Sequence, residues 1–100
     1  MEFNEYQELA NQSLAGDEQV LTKCALGLAS ETGEVLELIQ KYTFDHYDLT
    51  KEALIKEMGD VLWYLSQIAE WADIPFEEVA KQNISMLQER YPERFEKTKD

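Results

Sequence analysis

The 100-residue chain has one cysteine, one histidine and two prolines, and only nine basic residues against twenty-one acidic ones. A single cysteine, Cys24, cannot form an internal disulfide, and no histidine lies near it in sequence to activate a thiol. It reads as a small buried hydrophobe in a reducing, cytoplasmic setting. The single histidine, His46, excludes a His-rich metal site. The net charge of −12 argues against binding nucleic-acid backbone, which needs cationic patches. It argues equally against docking on an anionic membrane surface. No apolar run approaches the ~20 residues of a membrane span. The opening Met1-Glu2-Phe3-Asn4-Glu5 lacks the basic and apolar regions of a signal peptide.

What remains suits helices. Ala, Leu, Glu, Gln and Lys are common, and alternating β patterns are absent. Residues 1–100 read as one all-α domain, a four-helix bundle with helices over 4–15, 18–42, 49–72 and 75–91. Asn4 is the expected cap of the first helix, and Gly16-Asp17 the break and cap before the second. Thr43–Asp48 has no helical period and reads as a loop. Asp48 or Thr50 caps the third helix, and Pro75 opens the fourth. The third helix carries an apolar stripe at Leu54, Met58, Val61, Leu65, Ile68 and Ala72. The second carries one through Leu21, Cys24, Leu28, Val35, Leu38, Ile39 and Tyr42.

Both stripes contain acids. On a helical wheel Glu31 falls between Cys24 and Leu38, with Glu34 at the edge of that face. Glu57 falls beside Val61 and Tyr64, with Asp60 at the edge. Acids three apart on a helix are neighbours and repel, and burial adds a desolvation cost. A divalent cation removes that conflict. Carboxylate oxygens without His or thiolate companions favour Mg²⁺ or Mn²⁺. The Glu-x-x-His motif of di-iron bundles is absent.

Gly33 and Gly59 directly precede Glu34 and Asp60, on the backs of their helices, and read as sites of close helix packing, within the chain or between subunits. Several cations have two readings. Lys41 either pairs with Glu37 or reaches phosphate from the face of Glu34. Lys81 and Arg90 either pair on the surface or meet phosphates. Lys56, near Asp60 on the wheel, reads as solvated. Trp71 shares the edge of Asp60, and Trp63 points to the back of its helix. Phe3 and Tyr6 either pack in the core or close over a base.

These residues resemble a known family. Gly27-Leu28-Ala29-Ser30-Glu31-Thr32-Gly33-Glu34, with Glu37 and Lys41, is similar to the first metal helix of the MazG-like nucleoside triphosphate pyrophosphohydrolases. Lys56-Glu57-Met58-Gly59-Asp60-Val61-Leu62-Trp63-Tyr64-Leu65 is similar to the second. Twenty-two residues separate Glu34 from Glu57. Asn83, Arg90-Tyr91-Pro92 and Phe95 resemble the family's last helix and its exit. The resemblance implies an all-α fold and hydrolysis of nucleoside triphosphates to monophosphate and pyrophosphate with Mg²⁺. It implies Glu31, Glu34, Glu57 and Asp60 as metal ligands, with Tyr64 and Asn83 near the nucleotide. It implies assembly as a homodimer or homotetramer. Met86 stands where members often carry lysine. Glu31 is the expected general base, with Glu34 beside it. Phosphoribosyl-ATP pyrophosphohydrolase activity, or an acidic helical module that binds a partner protein, are the alternative readings.

Overall fold

The computed structural model describes residues 1–14 and 20–95. Four α-helices follow one another: α1 (Phe3–Asn11), α2 (Val20–Asp45), α3 (Lys51–Trp71) and α4 (Phe76–Arg90), then a 3₁₀ turn at Pro92–Arg94. The described residues contain no strand. The expected Gly16-Asp17 break and the start of the second helix at residue 18 lie outside the described residues.

The helix α3 begins where Thr50 predicts. The Thr50 hydroxyl accepts the Ala53 N–H at 3.2 Å, satisfying one free donor of the first turn. It ends in a Schellman motif. Asp73 adopts a left-handed backbone with φ of 61°, its N–H bonds to the Glu70 carbonyl, and the Ile74 N–H reaches the Ala69 carbonyl at 2.8 Å. The helix α2 runs through Thr43 and Phe44 to Asp45, into the stretch expected to be loop. The break comes at His46, whose φ is 63°.

The helix α1 is shorter than expected, and Asn4 does not cap it. Glu2 occupies the N-cap without a side-chain bond. The Asn4 carbonyl oxygen instead accepts the Glu77 N–H at 2.9 Å. The buried amide of Gln7 accepts the Phe76 N–H at 2.8 Å and donates to the Ile74 carbonyl at 2.9 Å. Pro75 is the N-cap of α4 and has no side-chain acceptor to offer. Two side chains of α1 therefore serve the backbone donors at the start of α4. Phe76 itself is buried and meets the Phe3 ring edge-on at 5.4 Å.

The helices α2 and α3 form an antiparallel hairpin, with Gly27 opposite Tyr64 and Glu31 opposite Glu57 and Asp60. Among the described residues α2 packs on α3 alone, while α1 and α4 pack on each other and on α3. The radius of gyration is 16.5 Å, wider than the ~13 Å of a compact chain of this length. The bundle is therefore open along α2. Among the described residues buried apolar side chains are few: Ala10, Cys24, Ala69 and Phe76. The third-helix stripe is only partly covered. Met58 and Leu65 remain exposed, and Ser66, Gln67 and Ala69 take the buried positions. The reason is that α3 meets α1, α2 and α4, so its enclosed positions are not confined to one stripe. Trp63 is fixed by α1: its indole N–H donates to the Ser13 hydroxyl at 2.9 Å.

Candidate metal centre

The hairpin brings three acids together. Glu31 on α2 and Glu57 and Asp60 on α3 each place a carboxylate oxygen within 4.8 Å of the other two. All three residues are partly buried. Glu57 is the most enclosed of the α3 pair, with 16 % of its side chain exposed against 45 % for Asp60. Glu34, one turn beyond Glu31, is exposed and stands outside this triad.

Electrostatics follow from that convergence. The Glu31 carboxyl is held above its ordinary pKa, first by burial, then by the charges of Asp60, Glu57 and Glu34, and by a hydrogen bond with Glu57. Asp60 also acts on α1. The Tyr6 phenol is pushed up, first by burial and then by the Asp60 charge. Lys56 is not merely solvated. Its ammonium lies 3.5 Å from Glu57 Oε2 and 3.7 Å from Asp60 Oδ2. Those two charges raise its pKa. Spacing does show the Asp60 contact, an i,i+4 pair; the Glu57 contact needs a rotamer that brings neighbours in sequence together.

The donor set fits a hard divalent ion. It is entirely carboxylate oxygen, without His or thiolate. An octahedral Mg²⁺ with oxygens at about 2.1 Å spans about 4.2 Å across its widest ligand pair. The three carboxylate oxygens, all within 4.8 Å of one another, are on that scale.

Glycine supports the hairpin at a different position from those expected. A Cβ added to Gly27 would overlap the Tyr64 ring and lie 2.7 Å from its hydroxyl oxygen. Gly33 and Gly59, expected at close helix packing, meet nothing within 4 Å in the chain. Tyr64 thus seats on bare α2 backbone one turn before Glu31, and one turn after Asp60 along α3. Its other side meets Trp63 edge-on at 5.0 Å.

The remaining expected site residues are spread out. Lys41 pairs with Glu37 at 3.7 Å and lies 5.8 Å from the centre of the Tyr47 ring. Seven residues beyond Glu34, it is about 10 Å further along α2. Lys81 lines an open groove of about 720 Å³ between the start of α1 and α4, with Phe3 and Ile84. Asn83 is exposed on α4, and Arg90 lies over the Tyr91 ring at 5.9 Å. Among the described residues no bond or ion pair joins these α4 side chains to the acids. Trp71 is exposed, and Tyr6 packs against Phe76 at 6.4 Å between ring centres. Sequence reasoning gave Tyr6 no relation to Asp60, because the two are related only by how α1 crosses α3.

An all-α fold with a carboxylate cluster on a helical hairpin defines a class: helical proteins with an acidic centre that could hold a cation. The family follows from comparison. The model of the MazG nucleotide pyrophosphohydrolase domain matches residues 19–95, and the chain belongs to that family. The chain is also similar to the Gene 37 protein of Mycobacterium phage L5, with 31 % identity over 74 residues. That alignment covers 70 % of this chain and 65 % of the phage protein. No solved structure matches.

Proposed function

We propose that the chain is a Mg²⁺-dependent nucleoside triphosphate pyrophosphohydrolase, with Mn²⁺ as an alternative ion, acting in nucleotide-pool house-cleaning. The observation that carries this reading is the convergence of Glu31, Glu57 and Asp60 from two helices, in a chain of the MazG family. These three residues would hold the ion, with Glu34 extending the carboxylate surface one turn along α2. A bound ion supplies the positive charge that lets a triphosphate approach a chain of net charge −12.

The residues divide the remaining work. Water attacks the α-phosphorus, the bond from that phosphorus to the bridging oxygen breaks, and pyrophosphate leaves with the bond's electrons. Glu31 takes the water's proton in this reading, because it faces Glu57 and Asp60 from across the hairpin and its carboxylate lies at the candidate centre. Tyr64 lines the hairpin beside the acids. Lys41, Lys81, Asn83 and Arg90 are substrate contacts in this reading, and those on α4 require the nucleotide to extend beyond the hairpin. A panel of canonical, deoxy and modified triphosphates with Mg²⁺, scored for pyrophosphate release, tests the activity. Release from none of them, with Mg²⁺ binding intact, would leave a cation-binding module instead.

The domain acts as a homodimer or homotetramer in this proposal. Leu36, Ile39, Ile55, Met58 and Leu65 are exposed on the hairpin. Val35, Met58, Val61 and Leu65 line an apolar hollow of about 270 Å³. Such area is normally covered in a stable assembly. Light scattering should give at least twice the 11.7 kDa chain mass at micromolar concentration. No described helix is long and apolar enough to cross a membrane. The buried free thiol of Cys24 suits a reducing, cytoplasmic setting.

A further inference from the structure

We propose that Lys56 is an exchangeable counter-cation for the acidic cluster: its ammonium neutralises Glu57 and Asp60 when no divalent ion is bound, and yields their oxygens to an ion that enters. The inference rests on the cation-site reading given above and adds a residue outside the ligand set.

Three observations carry it. First, Lys56 Nζ faces both α3 acids, at 3.5 Å from Glu57 Oε2 and 3.7 Å from Asp60 Oδ2. The two oxygens it touches belong to two of the three residues that converge on the candidate centre. Second, those distances exceed the 2.7–2.9 Å of a tight charge-assisted hydrogen bond. Lys56 donates to Glu57 Oε2 only at this long distance, so the contact is mainly coulombic and the bond an entering ion must break is weak. Third, 71 % of the Lys56 side chain is exposed. The ammonium therefore keeps most of its water and can swing outward without desolvation. A dication carries twice its charge and binds oxygen at close range, so it wins the exchange.

The arrangement serves the hairpin. Glu57 and Asp60 are one helical turn apart and repel. A lysine on the same helix relieves that repulsion without a second chain segment and without closing the centre. The cost is competition, because the positive charge of Lys56 opposes every incoming cation.

The test is Mn²⁺ affinity at low salt, measured by isothermal titration or electron paramagnetic resonance on the full chain, for wild type, K56M, K56Q and K56R. Helicity by circular dichroism confirms that each variant is folded. Removing one solvated charge beside a dication predicts about three- to tenfold tighter Mn²⁺ binding by K56M and K56Q. Raising the salt should shrink the gain. K56R, which keeps the charge, should stay within about twofold of wild type. Equal or weaker binding by K56M and K56Q, with wild type binding normally, overturns the exchange and leaves the cation site standing. So does a K56R gain equal to that of K56M. If wild type binds no Mn²⁺ at millimolar concentration, the cation site and the exchange fall together.

Discussion

The Tyr64 ring occupies the space that a side chain at Gly27 would need. This contact, between one turn before Glu31 and one turn after Asp60, sets how closely α2 approaches α3 where the acids meet. In G27A the methyl must displace the ring. Overpacking of this kind costs about 1–3 kcal/mol, and the better helix propensity of Ala returns up to about 1 kcal/mol. The net expectation is a loss of about 1 kcal/mol in urea unfolding. In a Y64A background the same G27A change should stabilise, because only the propensity gain remains. A destabilising G27A in both backgrounds would show that the ring is not what the methyl meets.

Gln7 supports α4 from a distance of sixty-nine residues in sequence. Q7A leaves the Phe76 N–H and the Ile74 carbonyl without their partner. A buried backbone group stranded in this way costs about 1–3 kcal/mol. N4A removes a single exposed cap and should cost about 0.5–1 kcal/mol. Hydrogen exchange of the first α4 turn should speed up in both variants. Slow exchange at Phe76 in Q7A would contradict this account.

Substitution of Glu57 separates metal binding from folding. E57Q keeps the shape of the side chain and removes a charge from a crowded cluster. We expect pyrophosphate release to fall about ten- to a hundredfold, because the proposed ion site loses one of its three convergent carboxylate charges. Thermal stability in chelator should be equal to or above that of wild type, since like-charge repulsion falls. Turnover retained in E57Q would remove the carboxylate cluster from the mechanism.

The raised pKa of Glu31 has a defined sign in stability. The folded chain holds this proton more tightly than the unfolded chain does. Between the ordinary glutamate value and the raised one, the folded state therefore binds more protons, and stability falls as pH rises. The stabilising contribution is complete below the ordinary value and lost above the raised one. Chemical denaturation in chelator across the weakly acidic range should show this slope in wild type and lose it in E31Q. A divalent ion should flatten it, because the ion replaces the proton. A slope of opposite sign assigned to Glu31 would mean that its carboxylate is stabilised by the fold.

Much of the molecule follows from local chemistry. The absence of β alternation, the spacing of apolar residues and the capping hydroxyl of Thr50 determine helices and their order. The positions of Glu31 and Glu57 on core-facing stripes, with Asp60 at the edge of its own, narrow which acids can converge, because helix periodicity fixes the face each side chain leaves; that Glu34 at the other edge stays outside was decided by the hairpin's packing. Periodicity also showed Lys56 close to Asp60, but not that its ammonium would touch Glu57 as well.

Other features were decided only by tertiary structure. Asn4 has the chemistry of a cap but caps a different helix, since the angle between α1 and α4 brings Glu77 within its reach. Gly27 rather than Gly33 or Gly59 is the glycine under close contact, because which part of α2 meets α3 depends on the register of the hairpin. Tyr6 senses Asp60 only because α1 packs on α3. Sequence periodicity specifies which side of a helix is apolar. It carries no information about how far along its axis a neighbour lies, and that offset is set by packing of the whole chain.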